Sequence, residues 1–516
     1  MEERDGLHPQ MRENGPHYLS PACYTLSKEE NESMFECLSS IKVPSGYSSN
    51  IKGILNVPEK KFTDLKSHDC HVLLTQLLPV VLLGILLENV RLTIVKLCDF
   101  LNTISQKVID PDNLIKLQND VVQCLVGFEL IFPPSFFNIM THLLVHLVEE
   151  IDILGPVFLH NMFPFKRYMT ALKKYVRNRA RPEGSISSGY GTEEVIEFCV
   201  DFVDDLKPIG VPESRYEGRL RGKGTLGKKA YVCTDDSLKK AHYTVLQQSS
   251  MVDPYLEQHK KILASKFPEK FEAWITRRHM DSFTSWLRKH LMHNMDILEQ
   301  LAYLARGPSW NVLRFQGYEI NGNTFYMRAQ DKKSTNQNSG VRMDATDNNG
   351  KKEIYYGYIE EIWELDYGPV LKIPLFRCQW VKLTGGGVTK DEYGMTIVDL
   401  NNLGYRDEPF VLAQDVTQVF YVKDMSSKPK KGVNKQTDQP KRHIVLSGKR
   451  NTVGVEDKID VSDDYNKFVE IPPFTVNDDP CIMLANDDAP YLRRDHNQGT
   501  YVKRKPITVP VVDANH

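Results

Sequence analysis

The chain has 516 residues, a net charge of −2 and nine scattered cysteines, Cys23, Cys37, Cys70, Cys98, Cys124, Cys199, Cys233, Cys378 and Cys481. The length gives room for about two to four domains, and near-neutrality means that any attraction for nucleic acid must come from local patches. An odd number of cysteines with no C-x-x-C spacing excludes a disulfide scaffold or a self-contained zinc finger, and points to reduced thiols in cytosol or nucleus. The opening MEERDGLHPQMRENG is polar and charged, unlike a secretory signal. The longest apolar run, residues 77–87, holds 11 residues, where a bilayer span needs ~20. A soluble protein with no membrane partner is expected.

Residues 1–60 are mixed and turn-rich, with Ser27 and Glu30 in the spacing of a capping box at the head of an amphipathic helix. Residues 66–300 read as one helical unit. Leu73, Leu77, Val80 and Leu83, then Val90, Ile94, Leu97 and Leu101, recur at three- to four-residue steps, and Pro111, Pro133, Pro134, Pro156 and Pro182 punctuate the helices. The 77–87 run should be buried. A basic, glycine-rich loop at 219–229 precedes further helices around Trp274 and Trp286. Beyond Trp310 the pattern changes to strands. Residues 318–326 form a hairpin turned by Asn321 and Gly322. Strands are expected at 353–365, 370–381, 395–400 and 416–422, with a long polar loop at 331–350. The fold class is therefore α+β: a mainly helical first two-thirds, then a small all-β barrel or sandwich at 310–424. Trp363, Trp380, Tyr355, Tyr356 and Tyr358 are read as its core. Residues 425–516 read as a largely disordered tail, with one apolar patch at 465–474 suited to docking.

Two clusters carry candidate chemistry. On an ideal helix His142, His146 and Glu149 fall at about 0°, 40° and −20°, on one face. Two imidazoles at that spacing can reach one zinc ion. An amphipathic helix with Leu143, Leu144, Leu147 and Val148 on its other side gives the same pattern, and both readings stand. The string His68-Asp-Cys-His71 is read as a helix start, with Ser67 or Asp69 capping and Cys70 buried. The second cluster is basic: Lys166, Arg167, Lys173, Lys174, Arg177, Arg179 and Arg181, with Glu183 the first acid after them. On a helix Lys166, Lys173 and Arg177 lie within about 40° beside an apolar stripe of Phe165, Met169, Leu172 and Val176. That describes a cationic ridge on a core-seated helix, suited to DNA phosphates, joined by Arg219, Arg221 and Lys223. Lys428, Lys430, Lys431, Lys441 and Arg442 have the pattern of a two-part nuclear import signal.

The strings KSHDCHVLLTQLLPV, NTISQKVIDP, residues 132–186 and RYEGRLRGKG resemble the C-terminal region of plant CACTA-type transposases, the En/Spm group of DDE enzymes. Residues 8–60 resemble the end of that family's core transposase domain. Residues 317–424, with YYGYIEEIWELDYG and KIPLFRCQWV, resemble the β-rich domain of unknown function that follows. The resemblance implies a remnant of an RNase H-like domain at 1–60, a helical transposon-associated domain at 66–300, a β-rich one at 310–424, and the tail. It also implies chemistry with two Mg²⁺ ions ~3.5–4 Å apart on three carboxylates. Two of these, with a paired-cysteine motif, would lie upstream of the first residue here. The third, a glutamate following a histidine pair, aligns with Lys166. No catalytic residue is therefore assigned, and no cofactor beyond zinc at the histidine pair, with Mg²⁺ only for a chain joined to the catalytic part. The expected function is a truncated transposase that binds DNA weakly, or full-length transposase, in the nucleus and does not cut. The alternatives are a domesticated interaction module without a DNA role and a non-functional gene fragment.

Overall fold

The computed structural model describes residues 17–47, 51–160, 162–202, 222–233, 235–291, 299–346, 352–368, 371–391, 393–426 and 442–448, with Gln10, Gln498 and Thr500–Val502. Helices dominate up to Arg306, and an antiparallel sheet follows, so the fold is α+β. The first helix, Lys28–Ser40, starts with the capping box. Ser27 Oγ accepts from the Glu30 amide at 3.1 Å, and the Glu30 carboxylate accepts from the Ser27 amide at 2.8 Å. The other Glu30 oxygen accepts from the Leu86 amide at 3.0 Å, tying this helix to the turn after residues 77–85. There Ser67–Val72 passes through a π turn at Leu73–Leu77 into Leu78–Val81. Pro79 has no N–H to donate, and its ring crowds the preceding turn; widening relieves both. Gly84, at φ +72°, ends the run. Leu77, Val80, Val81, Leu82, Leu83 and Ile85 are all buried, as their composition requires. Among the described residues no helix is long and apolar enough to cross a membrane.

The main sheet has eleven strands. Its path runs Val388–Lys390, Thr396–Asp399, Arg442–Ser447, Val416–Lys423, Gly340–Thr346, Lys352–Asp366, Lys372–Val381 and Leu403–Gly404, every neighbour antiparallel. Asn311–Phe315 also pairs with Lys352–Asp366 and carries Lys229–Val232 on its other edge, while Phe410–Leu412 pairs with Lys372–Val381. The sheet is open and does not close on itself, which corrects the expected barrel. Helices cover part of its apolar surface, and strands cover the rest: Tyr318, Ile320 and Phe325 share a cluster with Val341, Ile362 and Phe376, and Tyr356 and Val381 share one with Val398, Val419, Tyr421 and Val445. Cys37, Leu38, Ile41, Val72, Leu77, Val80, Val95 and Cys98 share one buried cluster with Met395, Ile397, Phe420, Val422, Ile444 and Leu446. A second cluster sets Phe283, Leu287, Leu291, Leu301 and Leu304 against Val312, Trp363, Leu365, Leu375, Phe410 and Leu412. At ~1.5–3 kcal/mol for each large apolar side chain buried, these two layers are the main source of cohesion.

The hairpin forms as the sequence requires. Gly317–Ile320 pairs with Asn323–Tyr326, and Asn321 and Gly322 take φ of +50° and +71° at the turn. Trp363, Trp380, Tyr356 and Tyr358 are buried, the first three in separate clusters, and Tyr355 packs against the cluster that holds Trp380. Three expectations change. Part of the supposed loop at 331–350 is the strand Gly340–Thr346, which is paired on both sides. Arg442–Ser447, assigned to the disordered tail, lies inside the sheet between Thr396–Asp399 and Val416–Lys423. Thr500–Val502, from the same stretch, pairs with His17–Leu19. Residues 427–441, 449–497, 499 and 503–516 of the tail, with the patch at 465–474, lie outside the described residues. Packing also runs across the divisions read from composition, since residues 37–98 and 395–446 share a core.

Candidate nucleic-acid interface

Most of the basic cluster sits on a helical hairpin. Phe163–Lys174, with a proline in its first turn, is followed by a short connection and then by Pro182–Phe202. The helix does not continue to Arg177, as the ridge reading required. Backbone bonds from Tyr175 to Leu172 at 3.0 Å and from Val176 to Lys173 at 3.3 Å close its last turn. Asn178 then turns the chain: its Oδ1 accepts from the Ala180 amide at 3.0 Å and its carbonyl from the Arg181 amide at 3.2 Å. An asparagine side chain bonding its own backbone competes with helix, and Pro182 at the next helix start has no amide to cap. The two helices pack on each other. Tyr168 meets Tyr190 edge-to-face at 6.5 Å, and a Cβ on Gly189 would lie 2.7 Å from Tyr175, so only glycine permits that approach. Tyr168, Leu172, Glu183, Ile186, Ser187 and Tyr190 line a shallow groove between them. Hydrogen bonding with Glu194 and Tyr168 pushes the Tyr190 phenol up to about 12.

Lys173, Lys174, Arg177, Arg179 and Arg181 are all exposed at the tip of this hairpin. None has an ion-pair partner among the described residues. Five cations within nine residues lie inside about one or two Debye lengths (~8 Å at physiological salt), so their fields add. The side chains of Lys166 and Arg167, and Arg219 and Arg221 entirely, lie outside the described residues. Lys223 is exposed at the start of the strand Lys223–Leu226, opposite Glu319. The apolar stripe differs from expectation: Phe165 is 61% and Met169 52% exposed, so this helix is not seated on the core by that face.

His142 and His146 do come together, with Nε2 atoms 3.2 Å apart and both rings exposed. Their helix is irregular, with a 3-10 turn at Leu144–His146 between Ile139–Leu143 and Leu147–Leu154. Val148 on the other side is buried in a cluster with Phe100, Ile104 and Val121. No group of three or more His, Cys, Asp or Glu side chains placed to hold a metal ion is found among the described residues. Two imidazoles leave a tetrahedral zinc short of the three or four protein ligands it normally takes. In the His68-Asp-Cys-His71 string the N-cap is Lys66 and not Ser67 or Asp69; Asp69 sits in the first turn, its carboxylate accepting from the Lys66 amide at 3.0 Å, and Cys70 is half-exposed and not buried. Burial pushes the thiols of Cys37 and Cys124 up to about 12, which makes them inert packing groups.

Sequence reading passed over a buried histidine pair. His259 on Asp253–Lys266 and His279 on Glu272–Leu291 face each other, Nδ1 to Nδ1, at 2.8 Å. Trp286 lies against His259 at 4.8 Å and stacks on His290 at 4.7 Å. Only the polar look of the surrounding sequence was visible, and it hid the inner face.

The hairpin lies within a recognised domain. Residues 104–215 match a family described as Domain of unknown function (DUF4218), and residues 363–433 match one described as Domain of unknown function (DUF4216). Domains of these two kinds are typically found in plant transposase-derived proteins. Comparison with curated proteins and with solved structures returns no match.

Proposed function

We propose that this chain is part of a CACTA-type (En/Spm group) transposase that holds duplex DNA through phosphate contacts and docks onto full-length transposase in the nucleus, without cutting DNA itself. The observation that carries the DNA contact is the set of five exposed, unpaired cations at the hairpin tip. Phosphate contacts position a protein without reading bases, so binding is weak and indifferent to sequence. Changing Lys173, Lys174 and Arg177 to alanine removes three such contacts. The slope of log K against log salt should become shallower by ~2.7, with little change in stability. An unchanged slope and affinity would return the tip to a solvated surface.

Docking to protein is supported by an excess of exposed apolar side chains. Of the 33 large ones exposed among the described residues, 22 lie between Val108 and Phe202, far more than an isolated monomer surface would concentrate in one region. The same observation favours the second reading, an interaction module with no DNA role. Only a salt-dependent DNA affinity separates the two.

Absence of cleavage follows from Lys166, a cation where the resembled family places a metal-binding glutamate. Purified protein is expected not to nick DNA carrying CACTA-type ends with Mg²⁺ or Mn²⁺. Nicking that disappears on Glu149→Gln or Glu183→Gln would overturn this, because loss on substitution rules out a contaminating nuclease.

A further inference from the structure

Between Asp253 and Leu291 there are eight lysines and arginines against five carboxylates, in a chain whose net charge is −2, and neither matched domain covers this stretch. The helix Glu272–Leu291 fixes where part of that surplus points. Its inner face carries His279, Phe283, Leu287 and Leu291, each at most 4% exposed, packed against Asp253–Lys266 and the sheet-facing core. Its outer face carries Arg277, Arg278, Arg288 and Lys289, all exposed. Arg277, Arg278 and Arg288 have no ion-pair partner among the described residues, although Asp281 stands within one turn of the first two.

The spacing of these cations is regular. Eleven residues make about three turns, so Arg277 and Arg288 lie ~20° apart in azimuth and ~16.5 Å apart along the axis, and Arg278 and Lys289 repeat the relation. The pair in the last turn also gains from the helix dipole, which is an ordinary reason for cations there. Arg277 and Arg278 sit in the second turn, toward the positive end, where the dipole does not favour cations. Two rigid cation pairs ~16.5 Å apart overhang a major groove ≈ 12 Å wide, with the phosphates of the two strands on its rims.

We propose that Glu272–Leu291 is a second nucleic-acid contact, in which Arg277 with Arg278, and Arg288 with Lys289, hold phosphates of opposite strands across one groove of a duplex. Asp281 sits between the pairs and weakens the contact by repelling phosphate. The surface is separate from the hairpin tip and stands on its own residues.

The test measures binding of the full chain to one random duplex and to single strands of equal length, across a salt series. R277A/R278A and R288A/K289A should each make the duplex slope shallower by ~1.8, and should cost several-fold more affinity on duplex than on single strand. Asp281→Asn should tighten duplex binding, a gain that a misfolded variant cannot give; unchanged melting temperatures check the alanine variants. Unchanged slopes, or equal losses on duplex and single strand, would overturn the proposal. K173A/K174A/R177A, run alongside, distinguishes the two surfaces: loss there with none at Glu272–Leu291 sinks this proposal alone, and the reverse sinks only the hairpin contact.

Discussion

His279 is fully buried, and its Nε2 has no hydrogen-bond partner. With Nδ1 of His259 at 2.8 Å, the cheaper tautomer places the proton on His279 Nδ1, because an unpaired acceptor at Nε2 costs less than an unpaired N–H. Burial, reinforced by the neighbouring His259, holds His279 down to about 4, and burial alone does the same for His242 and lowers His259. Nδ1 of His242 is hydrogen-bonded to the hydroxyl of Tyr367 at 2.9 Å, and burial keeps that hydroxyl protonated. Each histidine binds a proton more readily when unfolded, where it titrates near 6.5. For His279 and His242 the contribution to stability is therefore complete above about pH 6.5 and is lost as pH falls toward 4, at up to ~1.4 kcal/mol per pH unit for each of the two, and His259 acts in the same direction. Urea midpoints between pH 7.5 and pH 5 should fall, and His279→Leu should flatten the dependence; a pH-independent midpoint would contradict the lowered histidine values. Other single residues were plain in the sequence. The Ser27–Glu30 box and the Asn321–Gly322 turn are local devices whose geometry depends on neighbours three residues away or fewer. The histidine pair spans two helices, and only their packing brings it together.

Whole elements were legible where one face alternates or recurs. The strand Lys352–Asp366 and the helix Glu88–Ile104 both form where expected, although the strand is buried on both faces from Tyr356 to Ile359. Gly340–Thr346 was missed because pairing on both sides, not composition, makes it a strand: Val341 is fully buried while Asp344 stays outside. Arg442–Ser447 was missed for a similar reason, being short and set between polar stretches. The basic cluster was legible as charge but not as shape, since periodicity alone carries a helix past Lys174 and takes no account of Asn178 turning the chain. The hairpin's second helix bears Phe198 and Phe202, 73% and 83% exposed. F198S/F202S should leave the melting temperature nearly unchanged, within ~0.5 kcal/mol, while lowering the uptake of a hydrophobic dye. A large loss of stability would mean that these rings pack in the folded chain, and would remove them from any docking surface.

For the molecule as a whole, composition marked the change from helix to strand but not the sharing of cores. Helices from residues 72–98 pack on strands that follow some three hundred residues later, a long-range pairing that no local pattern announces. Limited proteolysis should spare residues 77–87 and cut first at the exposed connection around Arg177–Arg179; early cleavage within 77–87 would contradict the shared core. The place of Arg442–Ser447 has a further consequence during synthesis. Until that strand leaves the ribosome, Thr396–Asp399 and Val416–Lys423 lack the neighbour that joins them, and the first helices lack part of the surface that covers them. At ~5–20 residues per second, the wait between the emergence of Cys98 and of Ile444 is on the order of 20–70 s. Through that interval the nascent chain carries an unfinished apolar layer, so its yield in cells should depend on how well chaperones shield it from other chains.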